Sequence, residues 1–427
     1  MKSKVRSASS AFRLVPLSAA ALLAFGSNAY AQDVQLYGLV DAGITRVSGL
    51  TQGTATQLAS GIMEGSRWGL KGTEDLGGGY KAIFTLESRF EADTGSLSNR
   101  PASGSQVPDR IATATALGIN PAFNAVVQGI NSNVIGTGLG VNLTNNQFDR
   151  QAYVGLITPV GAVLAGRQYT PGYEVSAAFD AMETQSSLAV GQLAAIPAGF
   201  DIRVSNALQY RIQTGGITAS VMVAMGETGT SSSNNRLLGA MAMYKGDGYA
   251  VGIGHNTRNN EVGQKSLTTT TMGGWVNVGP GKLSAMYSIH KDDNPSGFAS
   301  LSTALQAAPF SLTAGQATLV QAAYINAFKV DAHLFNIGYR IPFGASTVTF
   351  AYSKRNDKTA FDGDVSSYGV AYTYALSKRT DLNAVLTRFD NGTKGQAAPG
   401  GNGYLGGVTR AAGVDSTSIA FGIRHRF

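Results

Sequence analysis

Cysteine is absent from the 427-residue sequence. Its absence excludes disulfide staples, thiol chemistry and cysteine-based metal sites. Histidine is scarce, and His255, His290, His333 and His425 fall in four separate segments, with no pair at metal-ligand spacing. Charge is thin as well: Asp, Glu, Lys and Arg make up 14% of the chain, against about 25% in an ordinary soluble domain. Beyond the N-terminal stretch there is no apolar run of the ~20 residues that a membrane helix needs. The glycines at 136, 138 and 140 form no phosphate loop, since no lysine follows them and no helical pattern adjoins. The sequence therefore predicts no enzyme, no metal and no cofactor.

What stands at the N-terminus is an export signal. Lys2, Lys4, Arg6 and Arg13 precede the apolar run 14–25, and small residues occupy the positions before a cleavage site after Ala31. Residues 1–31 are read as a signal peptide and 32–427 as the exported protein. The leader carries four of the seven excess positive charges, so the basicity gives no reason to expect nucleic acid.

The chain as a whole is hydrophobic over 43% of its residues, at a mean hydropathy near zero. Low charge, moderate hydropathy and no long apolar run fit an architecture in which only alternate residues meet lipid. The alternation is plain at the C-terminus. Ile419, Phe421, Ile423, His425 and Phe427 share one parity, while Ser418, Ala420, Gly422, Arg424 and Arg426 share the other. Upstream, Lys81, Thr85, Glu87, Arg89 and Glu91 fall opposite Ala82, Phe84, Leu86 and Phe90. Such a polar row suits neither a core nor a lipid face, but it suits water. At the front, Gln35 and Asp41 oppose Val34, Leu36 and Val40.

Short connections recur near 75–80, 159–161, 214–216, 246–248, 279–281, 343–345 and 376–378, and all but the last, Leu-Ser-Lys, contain glycine. Polar stretches separate them, longest around 94–147, 171–202, 294–329 and 391–414. Seven short turns and eight long loops predict an all-β fold: a transmembrane antiparallel β-barrel of about sixteen strands, with short periplasmic turns and long outer loops. Closure satisfies every backbone group inside the hydrocarbon, and at this strand number the lumen is too wide for side chains to fill.

Several segments also resemble a known family. Residues 66–79 (Ser-Arg-Trp-Gly-Leu-Lys-Gly-Thr-Glu-Asp-Leu-Gly-Gly-Gly), 150–156, 166–170, 376–380 and the terminal Gly422-Ile423-Arg424-His425-Arg426-Phe427 are similar to the general trimeric porins of Gram-negative bacteria, in particular the β-proteobacterial type. The matches span nearly all of 32–427 in the family's order. The resemblance implies an outer-membrane homotrimer embedded in lipid and lipopolysaccharide, passing small polar solutes and ions. It implies that the third long loop, here 171–202, folds into the barrel and faces a cationic wall. By position that wall is Arg67, Arg150 and Arg203, with Arg167 as a fourth, and the facing acids are Asp180 and Glu183. Phe427 resembles the terminal aromatic read by the outer-membrane assembly machinery. A proline-acid-aromatic-glycine signature of enterobacterial relatives is missing, with Pro197-Ala198-Gly199-Phe200 nearby, and Leu39 stands where some relatives carry lysine.

The arginines outnumber the two acids, which predicts a lean towards anions. For each arginine the alternative is a lumen residue paired with a wall carboxylate. Trp68, Tyr153, Phe350, Tyr372, Tyr374 and Phe427 are candidates for the interfacial aromatic girdle. Two other functions remain open at this level: a substrate-selective channel, and a surface adhesin with a plugged pore. The role of the long loop 94–147 is left open at this level, a latch over a neighbouring barrel being one reading.

Overall fold

A computed structural model describes residues 33–195, 199–400 and 406–427. The predicted leader and residues 196–198 lie outside this set. The strands are β1 (Asp33–Leu50), β2 (Gly53–Ser60), β3 (Arg67–Gly77), β4 (Tyr80–Arg89), β5 (Gln151–Thr158), β6 (Gly161–Tyr169), β7 (Arg203–Thr214), β8 (Ile217–Ala224), β9 (Leu237–Lys245) and β10 (Tyr249–Asn259). They continue as β11 (Lys265–Val278), β12 (Gly281–Asp292), β13 (Val330–Phe343), β14 (Ser346–Asp357), β15 (Val365–Ala375), β16 (Thr380–Asn391), the two-residue pair β17 (Ala397–Ala398) and β18 (Gly407–Val408), and β19 (Ser416–Arg426).

Each long strand pairs antiparallel with its neighbours in sequence, and β19 pairs with both β16 and β1. The sheet thereby closes. β2 and β3 form two halves of one stave, because the upper part of β1 pairs with β2 and its lower part with β3. The barrel thus has the sixteen staves that the turn pattern predicts, and all seven short turns fall where expected. The outer connections are 51–52, 90–150, 170–202, 225–236, 260–264, 293–329, 358–364 and 392–415, referred to below as L1 to L8. They are not uniformly long: L1 is a two-residue turn.

Side-chain alternation sets the two faces of the wall. On β1, Leu36 and Ile44 are 57% and 58% exposed, whereas Asp41 and Thr45 are buried inside. Val154, Val221, Phe350 and Phe421 are more than half exposed on the same outer surface. Apolar surface on this scale is incompatible with water and fits lipid. Of the girdle candidates, Phe350, Tyr372, Tyr374 and Phe427 are exposed. Tyr153 differs, because its register partner Thr85 lies on the same inward parity as Glu87.

L3 folds into the interior and packs on the inner wall. Short helical segments punctuate L2, among them α1 (Asp109–Ala112), α2 (Asn124–Ile130) and α3 (Gly136–Gly138), and L3 contributes α4 (Pro171–Phe179). The first residue of α4 is proline and Thr170 caps it, accepting the Tyr173 amide at 3.4 Å. Asn256 on β10 fastens this end, donating to Thr170 Oγ1 at 2.9 Å and accepting the Gly172 amide at 3.0 Å. The helix lies flat on β10 and β11 because glycines leave it room. A Cβ on Gly254 would stand 2.9 Å from the Pro171 carbonyl oxygen, and one on Gly273 would stand 2.9 Å from Phe179 Cβ. Val175, Phe179, Val190 and Leu193 then pack against Met241, Met286, Leu334 and Phe389 of the inner wall.

Candidate functional site

A charged cavity lies between L3 and the wall of β3 to β7. On the wall, Arg67 opens β3, Arg150 immediately precedes β5 and Arg203 opens β7. All three line one cavity of about 220 Å³ with Tyr169, Tyr173 and the L3 residues Glu183 to Ser186. The charges form a connected relay along the wall. Arg203 donates to the Tyr169 hydroxyl at 2.8 Å, and Arg150 donates to the same oxygen at 3.1 Å. Arg150 Nε stands 2.7 Å from Glu87, and Arg67 Nε stands 3.6 Å from Glu87's other oxygen. Arg67 also pairs with Glu64 at 2.9 Å. Glu64 in turn holds Arg424 at 2.8 Å and Arg426 at 3.2 Å, and both of these arginines reach Asp381.

Glu64 arrives in the lumen by a local device. The second stave breaks between β2 and β3, and the buried Asp41 carboxylate accepts the amides of Ile62, Met63 and Glu64 at 3.1, 2.9 and 2.8 Å. The break also docks L3, since the Ser186 amide donates to the Met63 carbonyl at 2.8 Å.

Glu183 lines the same cavity, and its ion partners are Lys282 at 3.0 Å and Arg340 at 3.5 Å, on β12 and β13. Two expected members lie elsewhere. Asp180 is buried within L3, where it accepts the amides of Met182 and Val190 at 2.9 and 3.0 Å. Burial pushes its carboxyl up to about 6 despite those bonds. It pins the loop instead of facing solute. Arg167 sits beside L2 in a separate pocket, donating to the Asp149 carbonyl at 2.6 Å and to Ser205 Oγ at 3.0 Å. A bulge in the β6–β7 ladder between Gly166 and Gln168 accounts for this, because it shifts the register on which the positional expectation relied.

The sequence reading did not assign Glu64, Tyr169, Asp381, Arg424, Arg426, Lys282 or Arg340 to the site. For Arg424 and Arg426 the signal was present in the inward parity of the last strand. For Glu64 it was absent, because a break in a stave leaves no period to read. Among the described residues no group of His, Asp or Glu is arranged to hold a metal ion.

A closed sixteen-stave barrel with an apolar outside and a charged, loop-narrowed inside defines a membrane pore. Comparison with known proteins gives the particular class. Residues 18–394 match the family described as Gram-negative porin, and the chain belongs to it. It is a porin, a channel of the Gram-negative outer membrane. The chain is 26% identical over 430 residues to outer membrane porin protein 32 of Delftia acidovorans, covering 96% of this chain and 99% of that one. Among solved structures, the anion-selective porin from Comamonas acidovorans superposes with a TM-score of 0.68 at 23% identity, over 93% of this chain and all of the other. A trimer form of OmpT from Vibrio cholerae gives 0.55 at 12% identity, over 93% and 100%.

Proposed function

We propose that this porin passes small hydrophilic anions in preference to cations, through a constriction between the arginine wall and L3. The observation that carries the reading is the charge balance of the relay. Arg67, Arg150, Arg203, Arg424 and Arg426 face Glu64, Glu87 and Asp381, and Glu183 on L3 is answered by Lys282 and Arg340. Each carboxylate is already held by cations, so the surplus positive charge is left for a passing solute. In a narrow channel walled by low-dielectric protein, such a surplus biases which ion enters. Arginine suits the task because it stays charged at every relevant pH.

The working unit is proposed to be a homotrimer, exported by the N-terminal leader, with Phe427 as its assembly signal. Phe427 is paired at the barrel seam through reciprocal backbone hydrogen bonds with Gly38. Planar-bilayer recording across a salt gradient tests the proposal. A reversal potential of anion sign, with conductance closing in thirds, is expected. A cation-sign potential would overturn the anion assignment, and single-step closure would overturn the trimer.

A further inference from the structure

L2 is folded across its own barrel. L2 joins the third and fourth staves, and L6 joins the eleventh and twelfth. Eight staves of sixteen separate them, so the two loops rise from opposite sides of the mouth. They nevertheless share one hydrophobic core. L6 contains α5 (Leu301–Gln306) and α6 (Ala314–Phe328). Val320 and Tyr324 of α6 are fully buried with Ile111, Val127 and Ile130 of L2. The Tyr324 hydroxyl donates to Asn131 Oδ1 at 2.9 Å, and the Arg110 guanidinium donates to the Ala327 carbonyl. A packed core between opposite rims is an arch over the pore.

The arch is sealed along one side. Thr51 in L1 donates to Gln106 at 2.5 Å. Gln106 donates to the Thr409 carbonyl of L8 at 2.8 Å, and Asp109 accepts the Ala412 amide at 2.9 Å. Arg110 lies over the Phe361 ring of L7 at 5.0 Å. L1, L2, L7 and L8 are therefore interlocked. On the other side L4 turns towards L5 and L6: the Asn235 amide donates to the Asn260 carbonyl at 2.9 Å, and Glu261 accepts the Gly297 amide at 3.0 Å. Among the described residues no hydrogen bond or ion pair joins L4 to L2.

We infer that the outer mouth has a single eccentric entrance, between L2 and L4, through which solutes reach the arginine wall. The inference rests on the porin reading above. Its functional content is specificity: the arch, ahead of the constriction, limits the bulk of solute admitted. The entrance opens above β5 to β8, the side of the barrel that carries Arg150 and Arg203, so an anion that clears it meets the wall directly.

The cysteine-free chain makes a clean test. Single cysteines at Thr144 (L2) and Ser232 (L4) border the proposed entrance, while Thr54→Cys beside L1 and Thr393→Cys in L8 lie on the interlocked side, and all four positions are exposed. Each refolded variant is recorded before and after reaction with a bulky polymer-maleimide. Labelling of Thr144→Cys or Ser232→Cys is expected to cut single-channel conductance by more than half, and labelling at 54 or 393 to leave it unchanged. Equal block from both sides, or block from 54 and 393 alone, would overturn the single entrance. Variants silent before labelling, like the unmodified chain, would instead overturn the porin reading.

Discussion

Arg203 and Tyr169 are joined twice: the guanidinium donates to the phenol oxygen at 2.8 Å, and its carbon lies 4.5 Å from the centroid of the same ring. Arg150 reaches that oxygen as well. One phenol oxygen thus bridges two like charges that would otherwise repel across a low-dielectric gap. Tyr169→Phe keeps the ring and removes the shared acceptor. Open-channel current noise is expected to rise and the reversal potential to shift towards zero. Bilayer traces indistinguishable from the parent would remove the positioning role.

The wall arginines make a second prediction. Arg67→Glu together with Arg150→Glu replaces two cations with two acids beside Glu87. The anion-to-cation permeability ratio is expected to fall on the order of tenfold and change its preference. Unchanged selectivity would mean that the constriction lies elsewhere.

A third concerns the glycine floor under α4. In Gly273→Leu the new side chain begins 2.9 Å from Phe179 Cβ, so the helix must move off the wall and into the channel. Conductance should drop by roughly half, through overpacking of the kind that tight interiors do not absorb. Equal conductance in a folded variant would show that L3 is not held by contact with the wall.

Asp41 supports the fourth. Its buried carboxylate accepts three consecutive amides, and Asp41→Ala leaves all three without that partner. Charge-assisted hydrogen bonds of this type contribute ~1.5–3 kcal/mol each. The variant should melt at lower temperature in detergent, seen by heat-dependent gel mobility. An unaltered melting point would show that the stave break is held by other contacts.

The root of L2 gives a pH prediction. Burial raises the Glu91 carboxyl from its ordinary 4.5 to about 7. Asp93 and Asp149 push the same way, and Arg89 and Asn99 oppose them. The folded root therefore keeps a proton that the unfolded loop has already released. Its extra stability is complete below about 4.5 and is lost as pH rises through about 7. Protease should cut L2 faster at pH 8 than at pH 5.5, and Glu91→Gln should abolish the difference. Cleavage at the same rate at both pH values in the parent would remove Glu91 as the cause.

By itself the sequence determined the barrel. Period-two alternation, sparse charge and seven short turns are local properties, and each stave pairs with its neighbour in the chain, so strand count, closure and the inward parity of Glu87, Arg89, Arg424 and Arg426 were all legible. Arg67, Arg150 and Arg203 were picked out by resemblance and not by period, and in the structure they line one cavity with L3. What only the tertiary structure decided is how the irregular segments fold back on that frame. Asp180 and Glu183 are three residues apart in L3, yet one pins the loop and the other faces the cavity. Glu64 meets Arg424 across the seam where the last stave joins the first, and Tyr324 meets Val127 across the mouth. These contacts depend on long-range packing of loops without a period, and no local pattern encodes the direction in which such a loop turns.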